Sequence, residues 1–217
     1  MKKISPINRS KDQARRYYDR ISHIYDWLTA GENRLIQKGV DFLGVKPGER
    51  IADIGCGTGA GIKFIQNDLS QSGIVIGVDL SHQMLLESQN KIKTDNQGHS
   101  LVQGDAVKLP IKSGKFDGIL CTFTLELFAE REIPLVLNEF NRVLKKGGRL
   151  VIVSLAQDPK TIAVEIYEWL HKVFPVVVDC RPIPLTNLLS DVGFEIRELQ
   201  KDQYWGLPIK SALCLHT

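Results

Sequence analysis

Asp53, Asp79 and Asp105 each stand at the end of a short apolar run, in "RIADIG", "GIVIGVDL" and "HSLVQGDA". A fourth run, "FDGILCT", ends on the hydroxyl of Thr122. Acceptors spaced in this way suit a ligand with several distinct polar parts. A carboxylate accepts two hydrogen bonds, so Asp79 suits the vicinal diol of a ribose. Asp105 can accept from an exocyclic amine while the Ala106 amide donates to a ring nitrogen, which suits adenine. Asp53, two residues before Gly55, can pair with a cationic amino group directly or through water. Between the first two acids lies "IADIGCGTGAG", residues 51–61, with glycines at 55, 57, 59 and 61. A backbone with so few side chains turns sharply and approaches a ligand closely.

Three chemistries use a glycine turn at that point. The phosphate loop of nucleotide hydrolases needs a lysine after its last glycine, and none follows here. The dinucleotide pattern GxGxxG/A is formally met by Gly55, Gly57 and Ala60, with Asp79 as its acid, so a nicotinamide-dependent oxidoreductase stays in play. Asp53 weighs against it, because a carboxylate there repels a pyrophosphate. The third is the loop that holds S-adenosylmethionine, whose amino group, ribose and adenine match the three acids in order. Leu80 and Met84, just after Asp79, are candidate walls of the same site. Each residue also has a plain structural reading. Asp79 and Ser81 suit a strand end and a helix cap, Asp105 and Pro110 a turn, and Met84 and Leu85 the core face of a helix. Asp117 reads as a turn residue fixing the start of its strand.

Positioning these groups requires strands that alternate with helices. From residue 50 the apolar runs and amphipathic segments do alternate: "TGAGIKFIQNDLS", "SHQMLLESQNKI" and "EREIPLVLNEFNRVL" read as helices, and "GRLVIVSL" as a fifth strand. That order predicts an α/β fold, a doubly wound, mostly parallel sheet covered on both faces. Two extended runs at the end, "FEIRELQKDQYWGL" and "KSALCLHT", predict an antiparallel hairpin with Gly206 and Pro208 between them. Helices are also expected over 159–174 and 184–192. Ahead of the sheet, Tyr18, Ile21, Tyr25 and Leu28 recur at helical spacing. Gly31 interrupts the pattern, and a second helix runs from about Glu32 to Leu43.

The 217 residues fit one domain, and a net charge of +3 with 43 % hydrophobic residues argues against a nucleic-acid partner. Residues 1–20 are locally basic, with Lys2, Lys3, Arg9, Lys11, Arg15, Arg16 and Arg20 against Asp12 and Asp19. The segment reads as a solvated terminus, with weak contact to an anionic membrane as its sharper alternative. Cys56, Cys121, Cys180 and Cys214 are scattered without metal-ligand spacing, so no metal is expected and the thiols read as reduced ones of a cytoplasmic protein. Neither a signal peptide nor a run of membrane-spanning length is expected.

"IADIGCGTGAG", "VIGVDLSHQML", "VQGDAVKLP", "KFDGILCTFTLE" and "EFNRVLKKGGRLVIVSL" resemble successive motifs of the class I S-adenosylmethionine-dependent methyltransferases. The nearest subgroup is that of the ubiquinone and menaquinone C-methyltransferases. The resemblance covers roughly residues 15–155. It implies a Rossmann-like methyltransferase fold with a seven-stranded sheet and S-adenosylmethionine as methyl donor, leaving S-adenosylhomocysteine. By the motifs, Thr58, Asp79, Asp105, Ala106 and Thr122 contact the cofactor, alongside Asp53, Gly55, Gly57, Gly59, Leu80 and Met84. "YYDRISHIYDWL" is similar to the family's N-terminal lid, which would bring Tyr18 and Tyr25 over the cofactor. Residues 1–44 then form a helical lid and 45–217 the cofactor-binding domain. The substrate half departs from the quinone subgroup. "FTLELF" stands where a Gly-Leu-Arg-Asn run is usual, and "SLAQDP" where a Glu-Phe-Ser-like segment is usual. The acceptor is therefore expected to be a small or lipid-like molecule, with quinone-ring C-methylation and phospholipid N-methylation as alternatives. His23, Tyr25, Glu126 and His171 are candidate bases, none preferred, and Tyr167, Trp169 and Phe174 candidate acceptor-pocket walls.

Overall fold

The computed structural model describes residues 10–69, 72–92, 98–158, 164–167, 169 and 180–216. Its helices are α1 (Lys11–Leu28), α2 (Asn33–Leu43), α3 (Ala60–Leu69), α4 (His82–Lys91), α5 (Ile133–Val143) and α6 (Leu185–Asp191). The strands are β1 (Arg50–Ile54), β2 (Ile74–Asp79), β3 (Gly98–Gln103), β4 (Phe116–Thr122), β5 (Leu144–Leu155), β6 (Glu195–Tyr204) and β7 (Leu207–Leu215). They form one sheet in the order β3-β2-β1-β4-β5-β7-β6. The first five are parallel, and β7 runs antiparallel to both β5 and β6.

The strands are apolar in unbroken runs because both faces are covered. Ile51, Ala52 and Ile54 of β1 and Leu150, Val151, Ile152 and Val153 of β5 are all buried. One face packs on α5 and α6 through Phe116, Val136, Phe140, Leu185 and Leu189. The other packs on α2, α3 and α4 through Leu35, Val40, Leu43, Ile62, Ile65 and Leu85. Within the expected segment 1–44 the two helices therefore stand differently. α2 lies flat on the sheet, where a Cβ on Gly39 would come within 3.0 Å of Val153 and 3.3 Å of Leu120. Helix α1 opens with a capping box between Ser10 and Gln13 and crosses the carboxyl ends of the strands.

The expected terminal hairpin is present, but its turn is displaced. The connection is Trp205-Gly206, with φ of 51° and 77°, a two-residue turn of the kind that follows the right-handed twist of paired strands. Pro208 sits inside β7, near its start, where its carbonyl accepts from the Ala156 amide at 2.8 Å. Asp117 pins the amino ends of two strands, accepting from the Arg50 amide at 2.9 Å and pairing with Lys145 at 2.5 Å. Residues 164–167 are helical. The remainder of the helix expected over 159–174, with His171 and Phe174, lies outside the described residues apart from Trp169. Among the described residues no helix is long and apolar enough to cross a membrane, and no cluster of side chains could hold a metal ion.

Candidate active site

The chain leaves β1 toward β2 on one side, while β4 adds on the other. Connections that diverge in this way open a crevice at the carboxyl ends of the two central strands. The glycine loop runs along its floor. Gly55 and Cys56 donate their amides to the Val78 carbonyl at 2.7 and 3.1 Å, which ties the loop to the end of β2. Gly55 (φ 76°) and Gly57 (φ 51°) both need the left-handed region, for different reasons. A Cβ on Gly55 would lie 2.1 Å from Thr124 Oγ1. One on Gly57 would meet only Tyr25 Cε1, at 4.0 Å, across open space. Gly57 thus leaves bare backbone facing the crevice.

Asp79 is half-buried at the end of β2. One carboxylate oxygen accepts from the Gly57 amide at 2.9 Å and the other from the Ser81 amide at 2.8 Å. Burial raises its pKa against these amide bonds, and the charge of Asp19 adds to the rise. Each oxygen keeps a lone pair for a further donor. Asp105, after β3, accepts from the Val107 amide at 3.0 Å and takes Lys11 Nζ at 2.6 Å on its other oxygen. Lys11 also lies 3.1 Å from Glu132. Burial pulls the Lys11 pKa down, but the two carboxylates outweigh it and the net shift is upward.

Around these groups lies a cleft of about 970 Å³, part of it continuous with solvent. Gly55, Gly57, Asp79, Leu80, Met84, Asp105, Ala106, Thr122, Tyr18 and Tyr25 all border it. Asp53, Thr58 and Gly59 do not. Asp53 is 2 % exposed and points under α3, where a Cβ on Gly61 would lie 2.4 Å from its Oδ2. Burial, then the nearby charge of Asp79, lifts its pKa to about 7, and its Oδ1 has no hydrogen-bond partner. Thr58 is buried and donates to Asp26 of α1, while Gly59 packs on Ser88 of α4.

Polar contacts hold α1 across the cleft. Ser81 Oγ donates to Asp19 at 2.6 Å, Asp26 takes both Thr58 and Lys91, and Lys11 reaches Asp105. Tyr18 and Tyr25 meet edge-on, 6.1 Å between ring centres, over the glycine loop. Part of the lining is apolar: Ile54, Phe123, Leu127, Phe128 and Ala129. Phe123 adopts φ 49°, a conformation that costs about 1–3 kcal/mol for a bulky residue and places strain at the mouth of β4. Lys11, Glu132, Thr124 and Phe128 escaped the sequence reading, since only chain-distant contacts bring them here. Of the candidate bases, Tyr25 lines the cleft, His23 is exposed on α1, and Glu126 is fully buried, accepting from the Leu155 amide at 3.2 Å. Tyr167 is half-buried against the α2–α3 core, and Trp169 is 59 % exposed.

The lining carries three carboxyl groups, Asp79, Asp105 and Glu132, against the one ammonium of Lys11. Such a cleft suits a cationic ligand and repels a pyrophosphate. A family model described as a methyltransferase domain matches residues 51–148. The demethylmenaquinone methyltransferase of Staphylococcus haemolyticus is 32 % identical over 178 residues, 78 % of this chain and 72 % of that protein. Its Staphylococcus aureus counterpart is 31 % identical over 176 residues, covering 77 % and 70 %.

The chain belongs to the class I S-adenosylmethionine-dependent methyltransferases.

The fold agrees. Magnesium protoporphyrin IX methyltransferase from Synechocystis PCC 6803, solved with bound S-adenosylhomocysteine, superposes with a TM-score of 0.75 at 19 % identity, over 96 % of this chain and 100 % of that one. The [4+2]-cyclase SpnF superposes with a TM-score of 0.77 at 16 % identity, over 98 % and 97 %. This methyltransferase therefore uses S-adenosylmethionine, and the nicotinamide alternative falls. The groups at hand fit that cofactor: bare backbone at Gly57, a carboxylate with free lone pairs at Asp79, and an acidic lining for a sulfonium and an amino group.

Proposed function

We propose that the enzyme methylates a small, largely apolar acceptor, with a reduced quinone ring as the acceptor class its relatives favour. The observation that carries this reading is the apolar share of the cleft lining, Ile54, Phe123, Leu127 and Phe128. A polar acceptor would lose its hydration against such a lining without recovering hydrogen bonds.

In this reading Asp79 accepts from the ribose hydroxyls, Asp105 and the Ala106 amide take the adenine, and Leu80 and Met84 flank it. S-adenosylmethionine supplies an electrophilic methyl group on a sulfonium. The chain's task is then alignment, which is worth about 7–11 kcal/mol of a barrier when the reacting atoms are held in line. Tyr18 and Tyr25 cover the glycine loop from above, exclude water and offer hydroxyls to an acceptor oxygen. Helix α1 acts as the lid, and its closing contacts are polar side chains that water can replace on opening.

Transfer of labelled methyl from S-adenosylmethionine to a demethylated quinol, a phosphatidylethanolamine and a water-soluble catechol tests the reading. Label should enter the organic phase with the quinol. Label in the phosphatidylethanolamine alone would move the acceptor to a phospholipid amine, and label in the catechol alone would end the apolar reading.

A further inference from the structure

Helix α1 has a second face. Lys11, Ala14, Tyr18 and Tyr25 look into the cleft. On the opposite side, at spacings of three and four, stand Arg16, Arg20, Ile24 and Trp27, all exposed. Trp27 is 81 % exposed and Ile24 43 %. The one acid that continues this spacing is Asp12, four residues before Arg16. Asp19 and Asp26 are turned to Ser81, Thr58 and Lys91, and Asp12, in the first turn, pairs with Arg15 at 3.4 Å.

The tip of the β6–β7 hairpin lies at the same corner. Leu155 at the end of β5 pairs with Ile209, so the Trp205-Gly206 turn extends past the carboxyl ends of the strands, the edge that holds the cleft. The Tyr204 ring packs on the α1–α2 junction, where a Cβ on Gly31 would come within 2.6 Å of it. Trp205 follows and is 88 % exposed. Arg34, at the start of α2, and Lys38 share the single carboxylate of Asp202, Arg34 at 3.5 Å, so this pair of cations still leaves an excess of positive charge beside the hairpin. Two tryptophans left in water, Trp27 on a helix face with Arg16 and Arg20 and Trp205 at a hairpin tip, protrude from their elements and do not line a groove for a peptide.

We infer that this corner is a docking surface for an anionic lipid bilayer. Tryptophan partitions to the headgroup region, where its ring meets apolar chains and its N–H meets water. Arginines beside it gain from the negative surface potential. A helix with a basic and aromatic outer face lies in that plane. The surface is read without methyl transfer, so it stands or falls separately from the acceptor assignment.

The test uses the full chain with phosphatidylcholine vesicles, with and without phosphatidylglycerol. Binding should require phosphatidylglycerol and weaken as salt rises. Tryptophan emission should shift to the blue and be quenched by brominated acyl chains. Arg16→Gln and Arg20→Gln should each weaken binding about fivefold. Trp27→Ala with Trp205→Ala should weaken sedimentation with phosphatidylglycerol vesicles several-fold while the S-adenosylhomocysteine thermal shift stays intact. Absence of phosphatidylglycerol-dependent binding, or equal binding by the double tryptophan variant, overturns the inference. A dimer that the double variant dissolves would also overturn it, by making the corner an interface between copies of this chain.

Discussion

Asp53→Asn isolates a carboxyl group that the fold holds protonated at pH values where the unfolded chain has lost the proton. Its pKa is about 7 in the folded chain, against an ordinary value of 3.8. Between those values the folded state binds the extra proton, so stability falls as pH rises. The contribution is complete below about pH 4 and is lost on passing about pH 7, at ~1.4 kcal/mol per pH unit and ~4 kcal/mol in all. With the residue only 2 % exposed, solvent screening takes little from this figure. Asparagine keeps the shape and an acceptor for the Ile62 amide but cannot ionise. Urea unfolding followed by circular dichroism, at pH steps across this window, should show the wild type losing stability relative to the variant by up to ~4 kcal/mol. Asp79, also raised by burial, is present in both proteins, and the part of its effect that does not cancel is its repulsion of Asp53, which belongs to the rise being measured. Asp117 and Glu139, whose pKa values are lowered, act at the acid end of the window or below it and alike in both proteins. A difference that stays flat would mean that Asp53 is ionised in the folded chain, and the account of its burial would fail.

Asp79→Ala should weaken S-adenosylhomocysteine binding at least about tenfold by calorimetry, each charge-assisted bond being worth ~1.5–3 kcal/mol; unchanged affinity would remove Asp79 from the ribose. Gly57→Ala should lose only the ~1–2 kcal/mol of a left-handed residue, whereas Gly55→Ala adds the clash with Thr124 at 2.1 Å; equal losses in chemical denaturation would contradict that geometry. Arg181→Met should cost ~3–5 kcal/mol in urea unfolding. The residue is 1 % exposed, its guanidinium bonds the carbonyls of Glu126 and Phe128, and burial pulls its pKa down to about 10, so a loss below 1 kcal/mol would show that residues 126–128 keep their conformation without it.

The strands, the glycine loop and the acids at the strand ends were legible because each is written in adjacent residues. An aliphatic run that stops at Asp79 fixes both the strand and the position of its carboxylate. Which way Asp53 points was not legible. It depends on α3 approaching closely enough at Gly61 to bury the carboxyl, a contact between elements. Lys11 on Asp105 joins residues 94 apart, and nothing in a basic N-terminal run marks which lysine will make that pair. The hairpin turn was misplaced because proline reads as a breaker, yet near the start of β7 its missing N–H forfeits only one ladder bond, and its carbonyl still accepts from Ala156. His23 carries no mark in sequence of the face it takes, since helical spacing alone leaves the inner and outer sides of α1 unassigned.

β7 lies between β5 and β6, although β6 precedes it in the chain. During folding β6 can therefore join the sheet only once β7, its one partner strand among the described residues, has docked on β5. Until β7 follows, β5 is an open edge and β6 an unpaired ribbon, the kind of exposed strand that joins other chains. The mostly polar, alternating character of β6, in which Glu195, Arg197, Glu198, Lys201 and Gln203 stay exposed, keeps that waiting strand in water. Substituting those positions with valine or isoleucine should therefore show up first as poor yield from translation, with little change in the melting point of whatever protein is recovered.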